Sequence, residues 1–202
     1  MAYDDFEDTT LDAWTEVTTA GGSAANSTSA AKFGARGMRF TSDGAGDSAQ
    51  AKYQNNDAAT SGAWNFYFWF RTSNIAKTFY YVGSNVTATA FTFGCVGSKF
   101  VAGHKLGNPE FTEVPVVNTW YRCRITYDGV SAYNFNLYDS DGAWIEEVIG
   151  TAADDADIVS IALDSRDNLG SVVTEDLDNV CITDTDEPAA AGGATMNMRK
   201  FW

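Results

Sequence analysis

The two residue types behind much hydrolytic and metal chemistry are almost missing from this chain: histidine occurs once, at His104, and cysteine three times, at Cys95, Cys123 and Cys181. A lone histidine in the Gly-rich turn Ala102-Gly-His-Lys is a poor basis for a Ser-His-Asp set. An odd cysteine count without Cys-x-x-Cys spacing argues against a disulfide framework and against zinc. Buried free thiols are the first reading, and one disulfide plus one free thiol the alternative. Positive charge is also scarce. Lys and Arg total 13 against 27 Asp and Glu, a net charge of −14, which repels phosphate backbones and removes nucleic acid as a partner. No apolar run approaches membrane-spanning length, so no membrane partner is expected. The acidic opening Met1-Ala-Tyr-Asp-Asp-Phe-Glu carries no signal peptide, and the expectation is cytoplasmic synthesis without secretion by that route. The sequons at Asn26 and Asn85 are then chance matches. Gly-rich phosphate loops, a helical period sustained over three turns and a fixed-period repeat are all absent.

What is present is period-two alternation. Val117-Asn-Thr-Trp-Tyr-Arg-Cys-Arg-Ile-Thr-Tyr-Asp-Gly129 and Tyr133-Asn-Phe-Asn-Leu-Tyr-Asp-Ser-Asp-Gly142 both end in Asp-Gly, the mark of half-buried strands closed by tight turns. Cys123, Ile125, Tyr127, Phe135 and Leu137 form the buried side. Arg122, Arg124, Asn134, Asn136 and Tyr138 form a polar and aromatic side offered to a ligand or partner. Further strands are expected over 2–7, 13–18, 36–41, 49–54, 64–71, 78–82, 90–95, 99–102, 110–114, 119–127, 132–138, 143–149, 157–163 and 172–183, with a loop over 19–31 and an acidic turn over 154–157. With 18 glycines and only 3 prolines, this predicts an all-β, antiparallel two-sheet jelly-roll sandwich in one domain over residues 1–183.

In Trp64-Asn-Phe-Tyr-Phe-Trp-Phe-Arg71, alternation puts Trp64, Phe66, Phe68 and Phe70 on one face and Asn65, Tyr67, Trp69 and Arg71 on the other. Two readings stand: a binding face carrying Tyr67, Trp69 and Arg71, or a central strand buried on both sides. After residue 183 the chain changes to an acidic, then Ala- and Gly-rich linker with a basic, aromatic tip: Met196, Met198, Arg199, Lys200, Phe201 and Trp202. Residues 184–202 read as a docking arm that seats on a neighbouring subunit, or else folds back on its own sandwich.

The order of segments resembles the concanavalin A-like lectin/glucanase superfamily, in particular laminin-G-like jelly rolls. The likeness rests on Asp4-Asp-Phe-Glu-Asp8 with Leu11-Asp-Ala-Trp14, on Phe33-Gly-Ala-Arg-Gly-Met-Arg-Phe40, on the strand at 118–129, and on Leu177-Asp-Asn-Val-Cys-Ile182. The resemblance implies that Glu7 and Asp178 could hold a structural calcium, the one cofactor considered; two surface acids on paired edge strands are the alternative. It also implies that a glucanase would need closely spaced glutamates of Glu-x-Asp-x-x-Glu type, and that pattern is missing. Glu146-Glu147 and Glu175-Asp176 are adjacent pairs whose side chains point to opposite faces. The expectation is therefore a protein that is not an enzyme. Two functions follow. One is an accessory structural protein of a tailed-phage virion, a capsid decoration or head-fibre protein bound to other virion proteins or copies of itself, and to host glycans. The other is a free-standing carbohydrate-binding module in which Tyr67, Trp69 and Tyr138 stack sugars while Arg122, Arg124, Asn134 and Asn136 bond hydroxyls.

Overall fold

The computed structural model describes residues 2–11, 14–18, 21–42, 48–54, 63–76, 79–84, 89–104, 109–128, 132–151, 160–166 and 172–183. Its strands are β1 (Ala2–Asp4), β2 (Trp14–Thr18), β3 (Ser23–Ser27), β4 (Gly37–Ser42), β5 (Ser48–Gln54), β6 (Ala63–Thr72) and β7 (Phe79–Ser84). They continue as β8 (Thr89–Val96), β9 (Lys99–His104), β10 (Tyr121–Asp128), β11 (Ala132–Tyr138), β12 (Trp144–Thr151), β13 (Ser160–Arg166) and β14 (Val173–Thr183). A single 3-10 turn, Thr28–Ala30, is the only helical piece among the described residues. The eight-stranded sheet runs β12-β11-β10-β6-β14-β4-β3, with β1 also on β14; the six-stranded sheet runs β2-β5-β13-β7-β8-β9. All the described pairings are antiparallel. The protein is the all-β two-sheet sandwich that alternation predicts.

Aromatic side chains join the layers. Phe66, Phe68 and Phe70 of β6 and Cys123 and Ile125 of β10 point inward and meet β8 and β9: Phe70 lies 5.2 Å from Phe93 and 5.8 Å from Phe100, both edge to face. Such pairs add about 0.5–1.5 kcal/mol each beyond area burial. Phe111 completes the cluster from the segment between β9 and β10. All three cysteines are buried free thiols, and burial pushes Cys95 up to about 12, with Glu175 adding to the shift.

Three sequence expectations are corrected. Residues 23–27, inside the loop expected over 19–31, form an edge strand on β4; the run Ser-Ala-Ala-Asn-Ser has weak strand propensity, and backbone pairing overrides it. Residues 110–114 make one bridge, Val101 to Glu110, rather than a strand. The first strand stops at Asp4, because Phe6 takes a positive φ of 56° and turns inward to be fully buried. The acidic turn at 154–157 and the arm at 184–202 lie outside the described residues.

Candidate functional site

The outward face of the large sheet follows from register. Arg122 pairs with Trp69 and Tyr138, Arg124 with Tyr67 and Asn136, and Thr126 with Asn65 and Asn134. Because side chains at paired positions share a face, all eight sequence-predicted binding residues except Arg71 meet across three adjacent strands. Arg71 continues the row on β6, opposite Asp176 of β14. The face divides into a covered half and an open half.

The covered half lies beneath the segment 28–36 and the turn 139–142. Two acids tie that segment down. Asp178 Oδ2 accepts the amides of Lys32 (2.7 Å) and Phe33 (2.8 Å), and Asp178 Oδ1 accepts that of Asn179 (2.8 Å). Glu7 Oε1 accepts the amides of Ala35 (2.9 Å) and Arg36 (3.0 Å). Glycine is required at the centre of the wrap: Gly34 has φ +63°, and a Cβ there would sit 2.2 Å from Glu7 Oε1. Lys32 then reaches over Trp69, 4.9 Å from the ring, and donates to the Ser140 carbonyl at 2.7 Å, while Phe33 packs edge-on to Trp69 at 5.4 Å. Trp69 is left 9% exposed and Tyr67 6%, so neither ring offers a free face to a ligand. Arg122, 7% exposed, is stacked between Tyr67 (5.1 Å) and Tyr138 (5.4 Å). Burial pulls its guanidinium below the ordinary value, and the charge of Arg124 acts in the same direction. Arg71 and Arg39 share the carboxylate of Asp176 at 2.7 and 2.6 Å, and Arg71 also lies 4.9 Å over the Trp120 ring. Of the two readings of β6, burial on both sides is the one the structure has.

The open half is a groove of about 520 Å³ over β6, β10, β11 and β12. Its floor is Asn65, Arg124, Thr126, Asn134 and Asn136; Asp128, Glu147, Ala63, Ala132 and Tyr127 complete the walls. Arg124 donates from Nε and Nη2 to Asn65 Oδ1 at 3.2 and 2.8 Å, which aims the guanidinium along the floor. Three of the predicted residues, Arg124, Asn134 and Asn136, thus line one cavity. The sequence reading missed Thr126, Asp128 and Glu147, whose register partners were the available signal. It also missed Trp144. A bulge at Leu137/Tyr138 brings Trp144 opposite Tyr138, where its indole N–H donates to Asn136 Oδ1 at 3.3 Å.

Glu7 and Asp178 fit a hard cation in the kind of donor they offer. Burial pushes the Asp178 carboxyl up to about 6 against three amide donors, and Glu7 contributes to the rise. A cation held by these two acids would offset their mutual repulsion and brace the 28–36 segment. Among the described residues no cluster of three or more His, Cys, Asp or Glu occurs, so two carboxylates are the side-chain ligands such an ion would have there.

No family model and no curated protein matches the chain. Solved structures do. The cellulose-induced protein Cip1 is similar with a TM-score of 0.69 and 13% identity, over 92% of this chain and 98% of that one. A sialidase is similar with a TM-score of 0.67 and 13% identity; the match covers 92% of this chain but spans only 18% of the sialidase. A carbohydrate esterase from the Shiga toxin-encoding bacteriophage phi24B has a TM-score of 0.56 and 15% identity, over 85% of this chain and 90% of its own. At these identities the likeness is one of fold. It corrects one expectation. The missing glutamate pattern speaks only to glucanase chemistry, whereas proteins named as an esterase and a sialidase contain this sandwich; the fold is no ground for setting catalysis aside.

Proposed function

We propose that the chain is a carbohydrate-binding domain of concanavalin A-like jelly-roll type, with the open groove of the large sheet as its glycan site. The observation that carries this reading is the convergence of one guanidinium, three amides, a hydroxyl and two carboxylates in a single cavity of about 520 Å³. Donors and acceptors fixed on adjacent strands are pre-organised for the alternating hydroxyls of a sugar, so little ordering entropy opposes binding. The carbohydrate-related names of two similar structures, the sialidase and the phage esterase, support the same reading. A glycan array probed with the wild-type chain and with Arg124→Ala tests it. The wild type binds a defined glycan set and the variant loses it; equal binding by both, or none by either, overturns the proposal. Incubating the bound glycan with the protein and analysing it for release products reports on turnover in the same experiment.

A second reading places this domain in a phage particle, as an accessory virion protein that contacts other virion proteins or copies of itself and uses the groove on host glycans. The phage origin of one similar structure supports it, as does the change of composition after residue 183 to an Ala- and Gly-rich stretch tipped by Met196, Met198, Arg199, Lys200, Phe201 and Trp202; on this reading 1–183 is the sandwich and 184–202 its docking arm. Deleting residues 192–202 should abolish assembly onto particles seen by electron microscopy while the sandwich melts unchanged; normal assembly of the truncated chain would contradict it.

A further inference from the structure

Trp144 is 60% exposed and yet held in place. It opens the edge strand β12 opposite Tyr138, and its indole N–H is fixed on Asn136, a floor residue of the groove. Leaving so large a ring in water forgoes the free energy of burying it. Fixing it by its polar edge leaves a flat apolar surface beside the amides of Asn136 and Asn134. On the same face Ile149, 65% exposed, stands opposite Asn134, so apolar surface flanks the amide row at both ends. A sugar ring has the matching two-sided chemistry, with an apolar C–H face for the indole and hydroxyl edges for the amides. The charges at the groove narrow the class. Arg124 shares the lining with two acids, Asp128 and Glu147, and Arg122 is buried against two tyrosine rings. A chain of uronates would set its carboxylates against two acids, within a protein of net charge −14.

Resting on the glycan-binding reading, we propose that Trp144 is the stacking platform of the groove and that its ligand is an uncharged glycan. The test is affinity electrophoresis of the full chain through neutral polymers (β-glucan, mannan, xylan) and anionic ones (alginate, hyaluronan), with the wild type, Trp144→Ala, Trp144→Phe and Arg124→Ala. The expected result is retardation by a neutral polymer, weakened about tenfold or more in Trp144→Ala and largely kept in Trp144→Phe, with unchanged urea unfolding of both tryptophan variants. Retardation of Trp144→Ala equal to wild type, with loss in Arg124→Ala, overturns the platform and leaves the groove reading standing. Preference for the anionic polymers overturns the uncharged ligand. No retardation of the wild type in any gel overturns both this inference and the reading beneath it. Concentration-dependent self-association of the wild type that Trp144→Ala abolishes overturns the platform alone, because the ring is then a protein contact.

Discussion

The covered and open halves of the large sheet's outer face are built from the same strands, in the same alternation, and end in opposite states. Around Trp69 the cationic side chains are engaged from within the molecule: Lys32 and Phe33 lie on the ring, Arg122 lies against Tyr67 and Tyr138, and Asp176 takes both Arg39 and Arg71. One register step along the strands, Arg124, Asn134 and Asn136 face a cavity. The difference is made by a segment distant in sequence. Residues 28–36 cross the face because Asp178, 146 positions beyond Lys32, holds their amides. Composition is therefore a poor guide to which half stays open: the more aromatic half is core in all but position, and the amide-rich half carries the groove.

The largest difference between the two halves should show at the aromatic centre. Trp69→Ala should cost about 3–5 kcal/mol in urea unfolding, as large aromatic deletions from packed sites do, while Arg124→Ala should change stability by less than about 1 kcal/mol. Similar costs for the two would erase the distinction. Asp176→Ala comes next. It leaves the Arg39 and Arg71 guanidinium groups facing one another without their shared carboxylate, and since both are about a quarter exposed, solvent screening holds the loss to about 2–3 kcal/mol. A loss below about 0.5 kcal/mol would show that water replaces the carboxylate readily.

A smaller effect bears on the tie between the halves. If calcium is held by Glu7 and Asp178, chelation should lower the melting temperature by a few degrees, through binding to the folded state alone, and Asp178→Asn should abolish that response. An identical melt with and without chelator leaves both acids to their amide partners, those of residues 32–36 and of Asn179. The smallest effect concerns the thiols. With Cys95 raised to about 12 from an ordinary 9.0, its shift favours the fold fully below pH 9, and that contribution is lost as pH rises through 12. Alkylation at pH 8 should accordingly be negligible in the native protein and complete in denaturant; rapid native labelling would mean the thiols are accessible.

Legibility followed the physics of each element. The β10–β11 hairpin was readable because its apolar positions alternate strictly and its segments end in Asp-Gly, so alternation put Arg124 and Asn136 on one face; that they stand opposite each other comes from the hairpin register. β3 was not, since Ser-Ala-Ala-Asn-Ser carries no side-chain signal and the strand exists by pairing with β4. Trp144 escaped because a bulge in the β11–β12 pairing, which periodicity does not encode, brings it opposite Tyr138. The cover over Trp69 escaped because alternation tells which residues share a face and says nothing of what crosses it.

Whether the open half is the ligand face is decided by titrating a bound oligosaccharide into the isotope-labelled chain and mapping amide and side-chain NMR shifts. Perturbations should concentrate on Asn65, Arg124, Thr126, Asn134, Asn136 and the Trp144 indole N–H, with Lys32, Trp69 and Arg71 unmoved. Shifts centred on Trp69 and the 28–36 segment, or on the six-stranded sheet, would place the ligand elsewhere and overturn the assignment.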